Sequence, residues 1–178
     1  VSSLLGIRHK ISYDSQAAME LEAVGTTKDF APEPASYACE LRSPDPAADG
    51  VEWIIDVIPG IREIVADICA RVPVQQISQR FHQTLVHGFF QAAHRIAAAH
   101  RVDKVVLSGG VFNNDLIFNA MMGSLKQGGL SVYTHSRVPP GDGGIALGQA
   151  AVAGALSKDL PDFIKNNVQP AQEAVSWD

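Results

Sequence analysis

The amino-acid sequence predicts an α/β fold, a sheet with helices on both faces, from three observations. Val105-Val106-Leu107 is an unbroken apolar run closed by Ser108-Gly109-Gly110, and a helical pattern of Leu116, Ile117, Met121 and Leu125 follows. That pattern is a buried strand feeding a helix through a tight turn. A second strand-like segment, 130–134, leads through Val138-Pro139-Pro140-Gly141-Asp142-Gly143-Gly144 into a small-residue helix from Ile145 to Leu156. Strands and helices thus alternate toward the end of the chain, as layered α/β architectures require.

The elements follow in order. Val1 to Ile7 is apolar enough to be the tail of a helix, and Ser15 to Val24 reads as a helix with Ala18, Leu21 and Glu22 a turn apart. Thr26 to Pro34 carries two prolines and reads as a loop. Tyr37 to Leu41 and Val51 to Ile58 are predicted strands joined by the turn-rich Ser43 to Gly50. Ile61, Ile64, Val65 and Ile68 predict a helix from about Pro59 to Arg71, which Pro73 ends. Ile77, Phe81, Leu85, Gly88, Ala92, Ile96 and Ala99 mark the apolar face of a long helix. Gly88 and Ala92 are small, so another element is expected to cross closely there. Strand 104–108, helix 114–127, strand 130–134 and helix 142–156 complete the order, with Gly128-Gly129 a natural helix stop. Residues 157–178 are polar with two prolines and read as a mobile tail or a loosely docked helix.

With 178 residues and 46% hydrophobic content, the chain can bury one substantial core. A net charge of −5 gives no electrostatic case for nucleic-acid or anionic-membrane binding. Cys39 and Cys69 are too far apart for a Cys-x-x-Cys motif and read as reduced core cysteines of a cytoplasmic protein. No signal peptide, transmembrane run or internal repeat is read in these 178 residues. No Ser/His/Asp or Cys/His arrangement can be built from spacing, and no catalytic residue is assigned.

Ligand chemistry concentrates at the two glycine turns. Backbone N–H groups at a helix start have no internal partner and lie at the positive end of the helix dipole. Gly109 and Gly110 would let a phosphate approach that bare backbone; a turn with no ligand is the alternative. Asn113 and Asn114 add amides that could orient a sugar or base. Asp142 falls at the start of the second helix, where a carboxylate either caps the helix or ligates a metal that bridges phosphate oxygens. Both turns follow strands, and in open α/β sheets ligands sit beyond the carboxyl ends of the strands. Gly109, Gly110, Asn114 and Asp142 are therefore expected to converge. His135, between a strand and the Pro-Pro turn, would border the same crevice. His82, His87, His94 and His100 lie on or near the long helix and read as surface or packed histidines.

The two turns, with Ile145-Ala146-Leu147-Gly148-Gln149-Ala150, resemble the C-terminal end of the HypF family, carbamoyltransferases of nickel-iron hydrogenase maturation. Ser12-Tyr13-Asp14-Ser15-Gln16-Ala17-Ala18-Met19-Glu20-Leu21-Glu22 and Arg80-Phe81-His82-Gln83-Thr84-Leu85 agree. The four motifs keep their order across most of residues 1–156. The chain departs from the family in carrying Ser15 in place of Gly and Asn113 in place of Gln. No two histidines here have the family's His-x-x-x-His metal spacing, and its acylphosphatase-like, zinc-finger and adenylate-forming domains are not visible. The chain thus looks like the last quarter of a longer enzyme, with residues 1–156 the C-terminal part of the carbamoyltransferase domain and 157–178 a tail.

The resemblance implies an actin/sugar-kinase/Hsp70-like (ribonuclease-H-like) ATPase subdomain with a mixed sheet. It implies transfer of a carbamoyl group from carbamoyl-adenylate to the C-terminal cysteine of HypE, with carbamoyl phosphate and ATP as substrates of the full enzyme. Gly109 and Gly110 would hold the phosphate, Asn114 would contact the nucleotide, Glu20 would reach the ribose, and Asp142 would ligate a divalent iron or zinc ion. The fragment alone is expected to be inactive. One rival is the related tRNA threonylcarbamoyladenosine transferase branch; another is a non-catalytic nucleotide-binding or docking module.

Overall fold

The computed structural model describes residues 1–26, 35–44 and 53–156. The predicted loop at 26–34 beyond its first residue, most of the turn at 43–50 and the tail at 157–178 lie outside them. The chain forms two units. The first comprises Val1–Lys104 with Asn114–Ser131, the second Val105–Asn113 with the residues from Val132 onward.

The first unit is built on one long helix. Helix α1 spans Gln16–Gly25, strands β1 and β2 span Glu40–Arg42 and Ile54–Asp56, helix α2 spans Ile58–Cys69, and helix α3 spans Val74–His100. Helix α4, Asp115–Gln127, completes it. Helices α1, α2 and α4 all pack on α3. Pro59 sits in the first turn of α2, where its missing N–H costs nothing and its fixed φ suits the helix. Ile64 and Ile77, each 1% exposed, meet Tyr37 in a core joined by Val1, Leu5, Ile61, Ile68, Val72 and Phe81. Strands β1 and β2 pair antiparallel with Leu41 opposite Ile55. This ladder crosses α3 at Gly88, where a Cβ would lie 2.7 Å from Cys39 Sγ and 3.1 Å from Ile55 Cγ2. The close crossing expected at Gly88 is therefore real, and a larger residue would separate ladder from helix.

Helix ends follow backbone chemistry. Gly129 takes φ +83°, and the N–H groups of Gly129 and Leu130 donate back to Lys126 and Leu125 at 3.0 and 3.1 Å. This is the paired closure that favours glycine. Val1–Ile7 makes the same closure around a single turn: Leu5 donates to Val1, Gly6 to Ser3 and Ile7 to Ser2, with Gly6 at φ +70°. The expected helix tail is thus one turn, with Val1 and Leu5 in the core.

The second unit holds β3 (Lys104–Leu107) and β4 (Ser131–Thr134), whose first residues belong to the first unit, two short 3-10 helices, Gly110–Asn113 and Asp142–Gly144, and helix α5, Ile145–Leu156. Strands β3 and β4 are hydrogen-bonded neighbours.

Three expectations need correction. Among the described residues the strands form two separate two-stranded ladders rather than one mixed sheet, because β1 and β2 are three residues each and are absorbed by the α3 crossing. Tyr37 precedes β1 instead of lying within it, and is buried because its phenol reaches Asp67 on α2 at 2.8 Å. Cys69 is exposed: Ile61, Ile64 and Ile68 line the buried face of α2, and the next residue turns about 100° away. Cys39 is half-buried, and burial pushes its thiol pKa up, with Asp56 adding to the effect.

Candidate functional site

In the second unit the two glycine turns meet. Gly109 has φ +108°, a conformation that a side chain would strain. Its N–H donates to the Pro140 carbonyl at 2.7 Å, and its own carbonyl accepts from Phe112 N–H at 3.1 Å, opening the 3-10 helix. A Cβ on Gly109 or on Gly110 would meet nothing within 4 Å. A Cβ on Gly141 would lie 3.3 Å from Gly110 Cα and 3.6 Å from Gly110 N, so the second turn presses on the first. His135 Nε2 lies 2.8 Å from Ser108 Oγ, joining the ends of β3 and β4.

This geometry divides the work of the glycine pair. Gly109 is needed for its backbone conformation, and its N–H is occupied by Pro140, which corrects its expected role as a phosphate donor. Gly110 has ordinary φ and open space before it, so it is the member of the pair that offers access. Gly143 and Gly144 are small because Pro139 folds back on them: a Cβ on Gly144 would lie 2.8 Å from the Pro139 carbonyl oxygen.

Asp142 opens the second 3-10 helix, but Gly141 holds the cap position and no side-chain cap bond forms. The Ile145 N–H instead donates to the Asp142 main-chain carbonyl. The capping alternative for the Asp142 side chain is therefore set aside, and its carboxylate is exposed. Among the described residues no three His, Cys, Asp or Glu side chains gather to hold a metal ion. These residues do not fit a resident metal; Asp142 offers one ligand at most.

In the first unit a polar relay runs from α1 through α3 to α4. Asn114 is the N-cap of α4, its Oδ1 accepting the Ile117 N–H at 3.0 Å. That bond fixes which end of the carboxamide is oxygen. Asn114 Nδ2 then lies 3.1 Å from His82 Nε2, while His82 Nδ1 lies 2.7 Å from the Ser78 carbonyl. A carbonyl only accepts and an amide nitrogen only donates, so both contacts require a neutral imidazole protonated on Nδ1. Ser78 Oγ donates onward to the Leu21 carbonyl at 2.6 Å. Glu22 accepts the Asp115 N–H at 2.6 Å, placing negative charge at the start of α4, where the helix dipole favours it.

His82 is 4% exposed. Burial lowers its pKa from the ordinary 6.5, against the opposing pull of the Ser78 carbonyl and Glu22. The unfolded chain therefore takes up a proton first as the pH falls, and stability declines from about pH 6.5 until the folded imidazole itself titrates. Thermal denaturation between about pH 7.5 and pH 5 should show this decline, and His82→Gln should flatten it. An identical slope in the variant would assign the acid sensitivity to other groups.

Glu20 is committed elsewhere. It accepts Arg8 Nε at 2.8 Å and Gln16 Nε2 at 2.9 Å, with a second guanidinium bond from Arg8. The Arg8 hydrogen bond holds its pKa low. A ribose hydroxyl could be taken up only in competition with Arg8, whereas Glu22 is the carboxylate beside Asn114. Arg80, in the same motif as His82, is structural: it pairs with Asp67 at 2.7 Å beneath the Tyr37 phenol. Burial, with Asp67 close by, drives the Tyr37 pKa well up. Sequence reasoning left His82 without chemistry and did not find Ser78. The available signal was two polar residues one turn apart within the apolar row of α3.

Short strands, glycine turns and the helices that follow them make this an α/β chain. Residues 1–149 match the family described as Carbamoyltransferase, Kae1-like Domain, second subdomain. The chain belongs to this family. Carbamoyltransferase HypF of Rhodobacter capsulatus is 30% identical over 156 residues, 87% of this chain and 18% of its own length. Carbamoyltransferase HypF2 of Cupriavidus necator is 30% identical over 165 residues, 85% of this chain and 20% of its own. A crystal structure of full-length HypF in the phosphate- and nucleotide-bound form matches with TM-score 0.76 and 33% identity, over 89% of this chain and 20% of that one. T. kodakarensis HypF, at TM-score 0.67 and 22% identity, shows the fold alone. The chain thus spans about a fifth of the length of these relatives.

Proposed function

We propose that this chain is the nucleotide-binding part of a HypF-type carbamoyltransferase of the ribonuclease-H-like ATPase superfamily. The transferase moves a carbamoyl group from carbamoyl-adenylate, made from carbamoyl phosphate and ATP, to the C-terminal cysteine of HypE. The observation that carries the reading is the open Gly110 backbone against which the second glycine turn is pressed. The similar full-length HypF structure is described as phosphate- and nucleotide-bound, which supports it. Gly110 N–H is assigned to the phosphate, and Gly109 shapes the turn. Asn114 is assigned to the nucleotide; Glu20 joins the ribose only if Arg8 yields.

In the transfer step the partner's thiolate sulfur attacks the carbamoyl carbon, and the carbon–oxygen bond to the adenylate phosphate breaks. AMP leaves with the electron pair. A fixed N–H donor at the phosphate stabilises the negative charge of the leaving group. The attacking thiolate comes from HypE, and no step is routed through a metal. A cytoplasmic setting fits the two free cysteines. No helix among the described residues is long and apolar enough to cross a membrane.

The test has two arms. Calorimetry with ADP on residues 1–178 is expected to show binding at one site. Incubation with HypE, carbamoyl phosphate and ATP is expected to leave the HypE cysteine unmodified, since the chain spans only about a fifth of the length of its full-length relatives. Absence of ADP binding would contradict the nucleotide reading, and thiocarbamate formation by this chain alone would contradict its role as a part.

A further inference from the structure

We propose that His82 is a positioning residue for nucleotide binding, holding the Asn114 carboxamide from the core of α3 so that Asn114 meets its ligand in one preset orientation. The proposal rests on the assignment of Asn114 to the nucleotide and adds how that residue is made ready.

The geometry is closed at each step. The Leu21 carbonyl on α1 receives the Ser78 hydroxyl, the Ser78 carbonyl receives His82 Nδ1–H, and His82 Nε2 receives Asn114 Nδ2. Asn114 Oδ1 is held by the first turn of α4. One amide hydrogen of Asn114 and one lone pair of its oxygen are thereby used, and rotation of the carboxamide would break two bonds at once. The second amide hydrogen is left for an acceptor atom, of which a nucleotide offers several in its base, ribose and phosphate. Ser78 is 0% exposed and His82 4% exposed, so water competes poorly for these bonds. A buried imidazole that only accepted a cap's hydrogen bond for stability could be replaced by a ring of similar size at a cost in stability alone. A positioning residue must also keep its acceptor atom for binding.

Two substitutions separate these roles. His82→Phe keeps a ring and removes the acceptor; His82→Gln keeps an acceptor oxygen. With ADP as the probe and the 178-residue chain as the protein, His82→Phe is expected to weaken binding about tenfold, the scale of one lost hydrogen bond. His82→Gln should stay within about threefold of the parent, even where both variants melt at a lower temperature. Nitrogen-15 spectra of the parent imidazole should show hydrogen on Nδ1 and none on Nε2. Undiminished ADP affinity in folded His82→Phe, equal losses in both variants, or an Nε2–H tautomer would each overturn the proposal. If the parent itself fails to bind ADP, the nucleotide assignment falls first and this role falls with it. Parent binding thus distinguishes the two failures.

Discussion

Gly110→Val is expected to reduce ADP affinity at least about tenfold while leaving the chain folded. An added Cβ at Gly110 meets no atom within 4 Å, and Gly110 is not among the glycines with positive φ, so the fold tolerates the side chain. The branched methyls would then occupy the space through which a phosphate must approach the N–H. Gly109→Ala is the control of opposite character. Its space is equally open, but φ +108° makes any side chain costly, roughly 1–3 kcal/mol of strain. Calorimetry with circular dichroism reads both quantities. Wild-type affinity in a folded Gly110→Val chain would mean that the glycine pair serves the turn alone.

Ile64→Ala is expected to cost roughly 2–5 kcal/mol, the largest stability effect in the first unit. Ile64 is 1% exposed and packs between Tyr37 and Ile77, so truncation leaves a cavity that α2 and α3 cannot easily close. Urea denaturation should show a lower midpoint with an unchanged slope. Ile145→Ala on α5, where the side chain is 53% exposed, should lie within about 0.5 kcal/mol of the parent. Equal effects at the two positions would contradict the placement of the core at Ile64.

The fold was legible where local chemistry decides it. Helix α4, expected over 114–127, spans Asp115–Gln127 and stops at Gly128-Gly129, because a left-handed glycine is written directly in the residues, whereas the capping role of Asn114 was not read from the sequence. Gly88 announced a close crossing through its size, and the crossing partners turned out to be Cys39 and Ile55. How strands pair was not legible, since segments of three or four residues carry too little pattern to specify a partner. The convergence of the two glycine turns followed from strand order. Which glycine of the pair is free did not, because the Pro140 carbonyl that claims Gly109 lies 31 positions away. The same limit hid the His82–Asn114 contact, 32 residues apart in the chain. Asp142 was ambiguous between cap and ligand, and only the backbone showed that Gly141 takes the cap position.

Residue-resolved titration of the nitrogen-15-labelled chain with ADP tests the central claim most directly. Saturable shifts are expected at the Gly110 amide, the Asn113 and Asn114 signals and the His82 imidazole, with Ile64 and Leu125 in the core unmoved. No shifts up to millimolar ADP, or shifts confined to residues away from Gly110 and Asn114, would contradict the assignment of this chain as a nucleotide-binding part of a carbamoyltransferase.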